Sequence, residues 1–205
     1  MKNLPINLNT FGFVQREKLG NVTIKYKCGR DFVYYALNYY FPSEFNQNVN
    51  NPKQIDRENI FGLSVPTAFS WSMLQFVKMP RLLNKYLLIL RINKRKVDSF
   101  WNFIVAMIFS RISHDKAINL IENSIDRGNV VGVDIALRFQ GLEDHIMFVY
   151  GYDEDNLYVF DTNKIPVLEY EKITDDEKFI MKLPRRVIKE RWKKFSRVWE
   201  ISKQN

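Results

Sequence analysis

Residues 144–162, DHIMFVYGYDEDNLYVFDT, carry the pattern of a β-hairpin. The run 145–152 is apolar and rich in strand formers, and 156–160 is a second short run containing Tyr158, Val159 and Phe160. Asp153, Glu154, Asp155 and Asn156 between them are turn residues, whose side chains bond their own backbone. Antiparallel pairing lays the start of one strand beside the end of the next. His145 opens the first strand and Asp161 closes the second, so both are expected at one end of a sheet. There a carboxylate can fix an imidazole's tautomer and stabilise its cation. The acidic turn lacks the spaced oxygen ligands and glycine of a calcium loop, and reads as a hairpin tip.

Working upstream, 130–136 (VVGVDIA) reads as a buried strand and 137–144 as a connector. Residues 113–127 form a helix pattern: Ser113 can cap it, Ile118, Ile121 and Ile125 line one face, and Gly128 stops it. His114 in its first turn, beside Asp115, reads as a surface histidine. Residues 97–110 read as a strongly apolar helix, 87–92 (LLILRI) as a buried strand and 81–86 as a helical turn. Residues 66–77 start a helix on Pro66, and 42–59 is a polar loop. Residues 22–26 (VTIKY) alternate as a short edge strand does.

Downstream, 166–170 (PVLEY) is a third strand, 174–178 a charged turn and 179–183 a short apolar run. Residues 187–195 (VIKERWKKF) make an amphipathic helix with Ile188 and Trp192 inward, and 198–201 (VWEI) is a final strand. Helices come first and an antiparallel sheet second, an α+β arrangement in a single domain over 1–205.

The composition fits one folded domain: 205 residues, 46% hydrophobic and 15% aromatic, exclude a disordered chain. The net charge of +8 collects largely at Lys94, Arg95 and Lys96 and in the run 182–197. A basic balance favours anionic partners, and a solvated basic helix is the plainer alternative. One cysteine cannot form an internal disulfide, so nothing marks an oxidising compartment. The first residues lack a signal peptide's apolar core, and the longest apolar stretch, 100–109, is too short for a bilayer, which needs about 20 residues. A soluble cytoplasmic protein without a membrane span is expected.

The one cysteine, Cys28, opens the stretch CGRDFVYYALNYYF. Phe32, Tyr35, Ala36, Tyr39 and Tyr40 recur at helical spacing, and Pro42 stops the pattern. Cys28 is thus expected at a helix N-terminus, where free amides and the helix dipole favour a thiolate and can hold an oxyanion. A buried core thiol is the alternative.

The order of these parts resembles the papain-like cysteine peptidases. It is nearest the branch of bacteriocin-leader (double-glycine) processing peptidases. That branch carries a Cys-Gly pair at a helix start, then an H-apolar-G-Y-D strand, a strand ending in Asp, and a late helix with tryptophan. The matching residues here are Cys28-Gly29, 145–153 (HIMFVYGYD), 156–161 (NLYVFD) and Trp192. The resemblance implies a papain-like fold, N-terminal helices on a C-terminal antiparallel sheet. It implies Cys28 as nucleophile, His145 as general base and Asp161 as the residue orienting the histidine. The family's oxyanion glutamine, upstream of the cysteine, is replaced by Val22. Asn21 and Gln15 are the nearby candidates for the donor.

The activity so implied is that of a thiol protease: hydrolysis of a peptide or amide bond through a thioester. An acyltransferase drawing on a carrier-protein thioester is one alternative. A non-catalytic pseudo-peptidase that binds an anionic partner, such as an acidic protein, is another. Nucleic acid through Lys189, Arg191, Lys193, Lys194 and Arg197 is disfavoured, since no recognition motif accompanies the charge. No zinc cluster, phosphate-cradling glycine loop or dinucleotide fingerprint occurs, so neither metal nor cofactor is implied.

Overall fold

Capping residues and turns set the limits of the elements in the computed structural model, which describes residues 1–7, 17–19, 22–24, 28–45, 80–138, 143–160, 171–172, 180–194 and 196–204. In chain order these are β1 (Lys2–Asn3), β2 (Glu17–Leu19), β3 (Val22–Ile24), α1 (Cys28–Tyr40), a helical segment at 80–85, β4 (Leu88–Ile92), β5 (Arg95–Val97), α2 (Phe100–Phe109) and α3 (His114–Asp126). There follow β6 (Val130–Arg138), β7 (Glu143–Tyr152), β8 (Asn156–Phe160), β9 (Glu171–Lys172), β10 (Ile180–Pro184), α4 (Arg185–Arg191) and β11 (Arg197–Lys203). The readings of 46–79, of the strand 166–170 and of the turn 174–178 lie outside the described residues.

Among the described residues, nine strands form one sheet in the order β5-β4-β11-β6-β7-β8-β10-β9, with β1 also paired to β7. Every pairing is antiparallel. β2 and β3 make a separate pair. The class is therefore mixed α+β with a large antiparallel sheet. Helices and strands are less segregated than the sequence predicts. β4 and β5, from mid-chain, form one edge, and β11 inserts between β4 and β6.

The predicted hairpin is β7 and β8, paired Phe148 to Phe160 and Tyr152 to Leu157. Its first strand starts at Glu143, two residues before His145. Asp153 organises the tip: Oδ1 accepts from the Asp155 and Asn156 amides at 3.0 and 2.8 Å, and Oδ2 from the Tyr158 hydroxyl at 2.6 Å. The Tyr158 bond above all holds the carboxyl down to about 2.

One predicted helix is shorter than its pattern. Residues 95–97 pair with β4 across a two-residue turn at Asn93 and Lys94, whose φ values are 47° and 73°. Positive φ at both positions is the turn type that matches strand twist. α2 therefore starts only at Phe100, with the Ser99 Oγ accepting from the Asn102 amide at 3.2 Å. α3 follows its expectation, from the Ser113 cap to Gly128 at φ 72°. α4 ends at Arg191. Ile188 is buried, and the Trp192 indole donates to the Ile112 carbonyl at 3.0 Å.

Helices cover both faces of the sheet. On one face Phe32 of α1 presses on Gly132 of β6, Tyr35 stacks near Phe148 and Phe160, and Phe103 of α2 packs on Trp199 of β11. On the other, Ser124 of α3 donates to Glu200 of β11 at 2.6 Å. The strands between, with Val131, Val133, Val149 and Phe148 buried, are apolar on both faces.

Candidate functional site

Cys28 is the first residue of α1, half-buried at the edge of the core, with a free thiol. One turn on, Phe32 seats the helix on the sheet. A Cβ at Gly132 would lie 2.7 Å from the Phe32 ring and 3.1 Å from Ile146 Cγ2. Gly132, Ile146 and Phe32 therefore share a face. β6 and β7 pair without a break from Val131 and Val149 to Ala136 and Asp144, with Ile135 opposite His145. Successive strand residues point to opposite faces. His145, next to Ile146, thus leaves the sheet on the face away from α1, together with Ile135 and Met147. It is buried, at 4% exposure. The strand register does not bring His145 to the face on which the helix of Cys28 packs. Asp161, Asn21 and Gln15 lie outside the described residues.

A different site forms on the α3 face, where a cleft opens between the helix and the outer strands β4 and β11. β4 and β11 pair Arg91 with Glu200 and Ile89 with Ser202, so these four line one floor. The end of α3 makes one wall with Leu120, Asn123 and Arg127, and Tyr39, Tyr40 and Pro5 close another. The cleft encloses about 1150 Å³. Gly128 is needed here for its left-handed φ, which ends α3 and turns the chain into β6.

Charge is organised around Glu200, which is nearly buried. It accepts from Ser124 Oγ at 2.6 Å, Asn129 Nδ2 at 3.1 Å and Arg127 Nη2 at 3.3 Å. Arg91 Nη1 lies 3.7 Å away and donates to Ser202 Oγ at 2.6 Å. A buried carboxylate needs such donors to offset lost hydration. The Tyr40 hydroxyl donates to the Ile201 carbonyl at 2.9 Å, and Lys203 Nζ sits 5.8 Å from the Tyr40 ring centre. Burial pushes the phenols of Tyr39 and Tyr40 up, and the Glu200 charge adds to the shift at Tyr40.

Lys94 and Lys203 also line the cleft, and neither has a carboxylate partner among the described residues. Among the described residues the lining thus holds Arg91, Lys94, Arg127 and Lys203 against the single carboxylate of Glu200. No known protein family, curated protein or solved structure matches the chain.

Sequence reasoning singled out Lys94 as part of a basic cluster, but not the cleft. Its cations come from β4, a turn, the end of α3 and β11, and only the sheet order gathers them. Among the described residues no three His, Cys, Asp or Glu side chains are grouped to hold a metal ion. No helix among them is long and apolar enough to cross a membrane.

Proposed function

We propose that this chain is a binding protein that takes an anionic partner, in the first instance an acidic peptide segment, into the cleft between α3, β4 and β11. One observation carries the reading: among the described residues, four cationic side chains line the cleft around one carboxylate that is already satisfied. Lys94 and Lys203 are left to meet carboxylates from outside. Their charges set specificity and on-rate more than depth of binding, so the interaction weakens with salt. In this reading the chain is a pseudo-peptidase: a papain-like arrangement of helix and hairpin without a working cysteine–histidine pair.

The test is fluorescence anisotropy with a labelled hexaglutamate peptide at low and high salt. Binding is expected at low salt. It falls about three-fold for each of Lys94→Gln and Lys203→Gln, and is unchanged by Cys28→Ala. Absence of binding, or binding indifferent to both lysines, refutes the reading.

A second reading, cysteine hydrolase or acyltransferase acting on a peptide, amide or acyl thioester, draws support from the half-buried Cys28 at the start of α1. It requires His145 to act on Cys28. The alkylation rate of Cys28 against pH, with and without His145→Ala, separates the two. On the binding reading the substitution leaves the profile alone. A profile that is fast below neutrality and lost with His145 restores the hydrolase.

A further inference from the structure

Helix α2 is FWNFIVAMIF, with no charged residue along its length. Its inward side is Phe103 and Ala106, both buried. Its outward side is apolar too: Trp101 is 73% exposed, Ile108 49% and Phe109 71%. Residues seven and eight apart return to one side of a helix, so these three share a stripe. A soluble surface of this kind normally marks something that covers it.

The surroundings indicate what. Arg95 Nε donates to Ser110 Oγ at 3.0 Å, which places its guanidinium at the C-terminal end of α2. Arg111 follows one residue later and is exposed. Lys94 and Lys96 stand on the adjoining turn and strand, and the Lys96 amine lies 3.6 Å from Asp98 at the other end of the helix. An apolar stripe carrying Trp and Phe, edged by cations on a chain of net charge +8, is complementary to a surface both greasy and negative.

We infer that the outer face of α2 docks on an anionic lipid surface, with Trp101, Ile108 and Phe109 entering the headgroup layer and Arg95 and Arg111 meeting acidic headgroups. The helix is too short to span, and lies in the plane of the interface. Arg95 and Arg111 are outside the cleft lining, so this inference stands or falls separately from the peptide-binding reading.

The experiment is co-sedimentation of the full chain with vesicles of phosphatidylcholine alone and of phosphatidylcholine with phosphatidylserine. Wild type is expected to bind the second far better than the first. Ile108→Asp with Phe109→Asp lowers partitioning about ten-fold or more, since two apolar side chains no longer enter the layer. Arg95→Gln and Arg111→Gln each lower it about five-fold on the acidic vesicles only. Wild-type tryptophan emission is quenched by brominated lipid, and Trp101→Phe removes most of that quenching. This second reading needs no aspartate variant to fold. The inference is overturned if wild type stays in the supernatant, or if the double aspartate variant binds as wild type does. It is also overturned if wild type self-associates without binding vesicles and the aspartates abolish that association, which assigns the face to a second copy of the chain.

Discussion

Gly132→Ala tests the contact on which the placement of His145 depends. Gly132 lies on β6 between β11 and β7, and the added methyl would sit 2.7 and 2.9 Å from two carbons of the Phe32 ring. Carbon atoms pack best at about 3.5–4.0 Å, so the ring must retreat by about 1 Å or α1 must lift. Ile146 Cγ2 at 3.1 Å limits escape in the other direction. Overpacking of this degree costs about 1–3 kcal/mol, and alanine regains about 0.5–1 kcal/mol in a strand relative to glycine. The net loss is about 0–2.5 kcal/mol, and for a domain of this size the melting temperature falls by up to roughly 10 °C. Circular dichroism melts of wild type, Gly132→Ala, Phe32→Leu and the double variant read it. Leucine withdraws the ring carbons, so the double variant is more stable than the sum of the singles requires. Refutation would be a neutral Gly132→Ala with strict additivity. Phe32 would then not rest on Gly132, α1 would not own that face, and the assignment of His145 to the opposite face would lose its basis.

The turn and the cleft give two more tests. Asp153 has its carboxyl lowered from 3.8 to about 2, first by the Tyr158 hydroxyl and then by Asn156 and two backbone amides. A lowered folded value means stabilisation that is complete above the unfolded pKa and lost as pH falls from about 4 through about 2. Asp153→Asn is therefore expected to melt below wild type at neutral pH, with the gap closing across that acid window; a gap independent of pH refutes the assignment. Tyr40→Phe removes a hydroxyl that donates to Ile201 and accepts from the Val130 amide at 3.4 Å, at a cost of about 1 kcal/mol in denaturant melts. An unchanged midpoint would mean that the hydroxyl does not join α1 to the sheet.

Much of this fold is written in local chemistry. Ser113 and Gly128 bracket α3 because a cap and a left-handed stop act within one turn of the chain. The Asp153 turn is likewise local. The turn at Asn93 and Lys94 is hidden because it lacks glycine, and its lysine reads first as part of a charge cluster. The place of β11 is hidden for another reason. Its partners, Leu88–Ile92 and Val130–Arg138, are distant in sequence, and a short apolar run carries no mark of which strands will flank it. His145 shows the same limit in finer form. Period-two alternation is legible in β7, but both faces are apolar, so nothing local says which one α1 will take. The cleft inherits all of these uncertainties, since it needs the turn, the end of α3 and the place of β11 together.

The central place of β11 has a consequence for how the molecule is made. β4 and β6 are both synthesised before the strand that joins them, and neither pairs with the other. Until residues 197–203 emerge, the pairings available to the nascent chain leave open edges at β4 and at β6. Buried Val198, Trp199 and Ile201 then arrive to join both at once. A chain arranged so must be kept from pairing its open edges with neighbours during translation. Without residues 197–203, β4 and β6 each keep an unpaired strand edge at the place where β11 pairs with both.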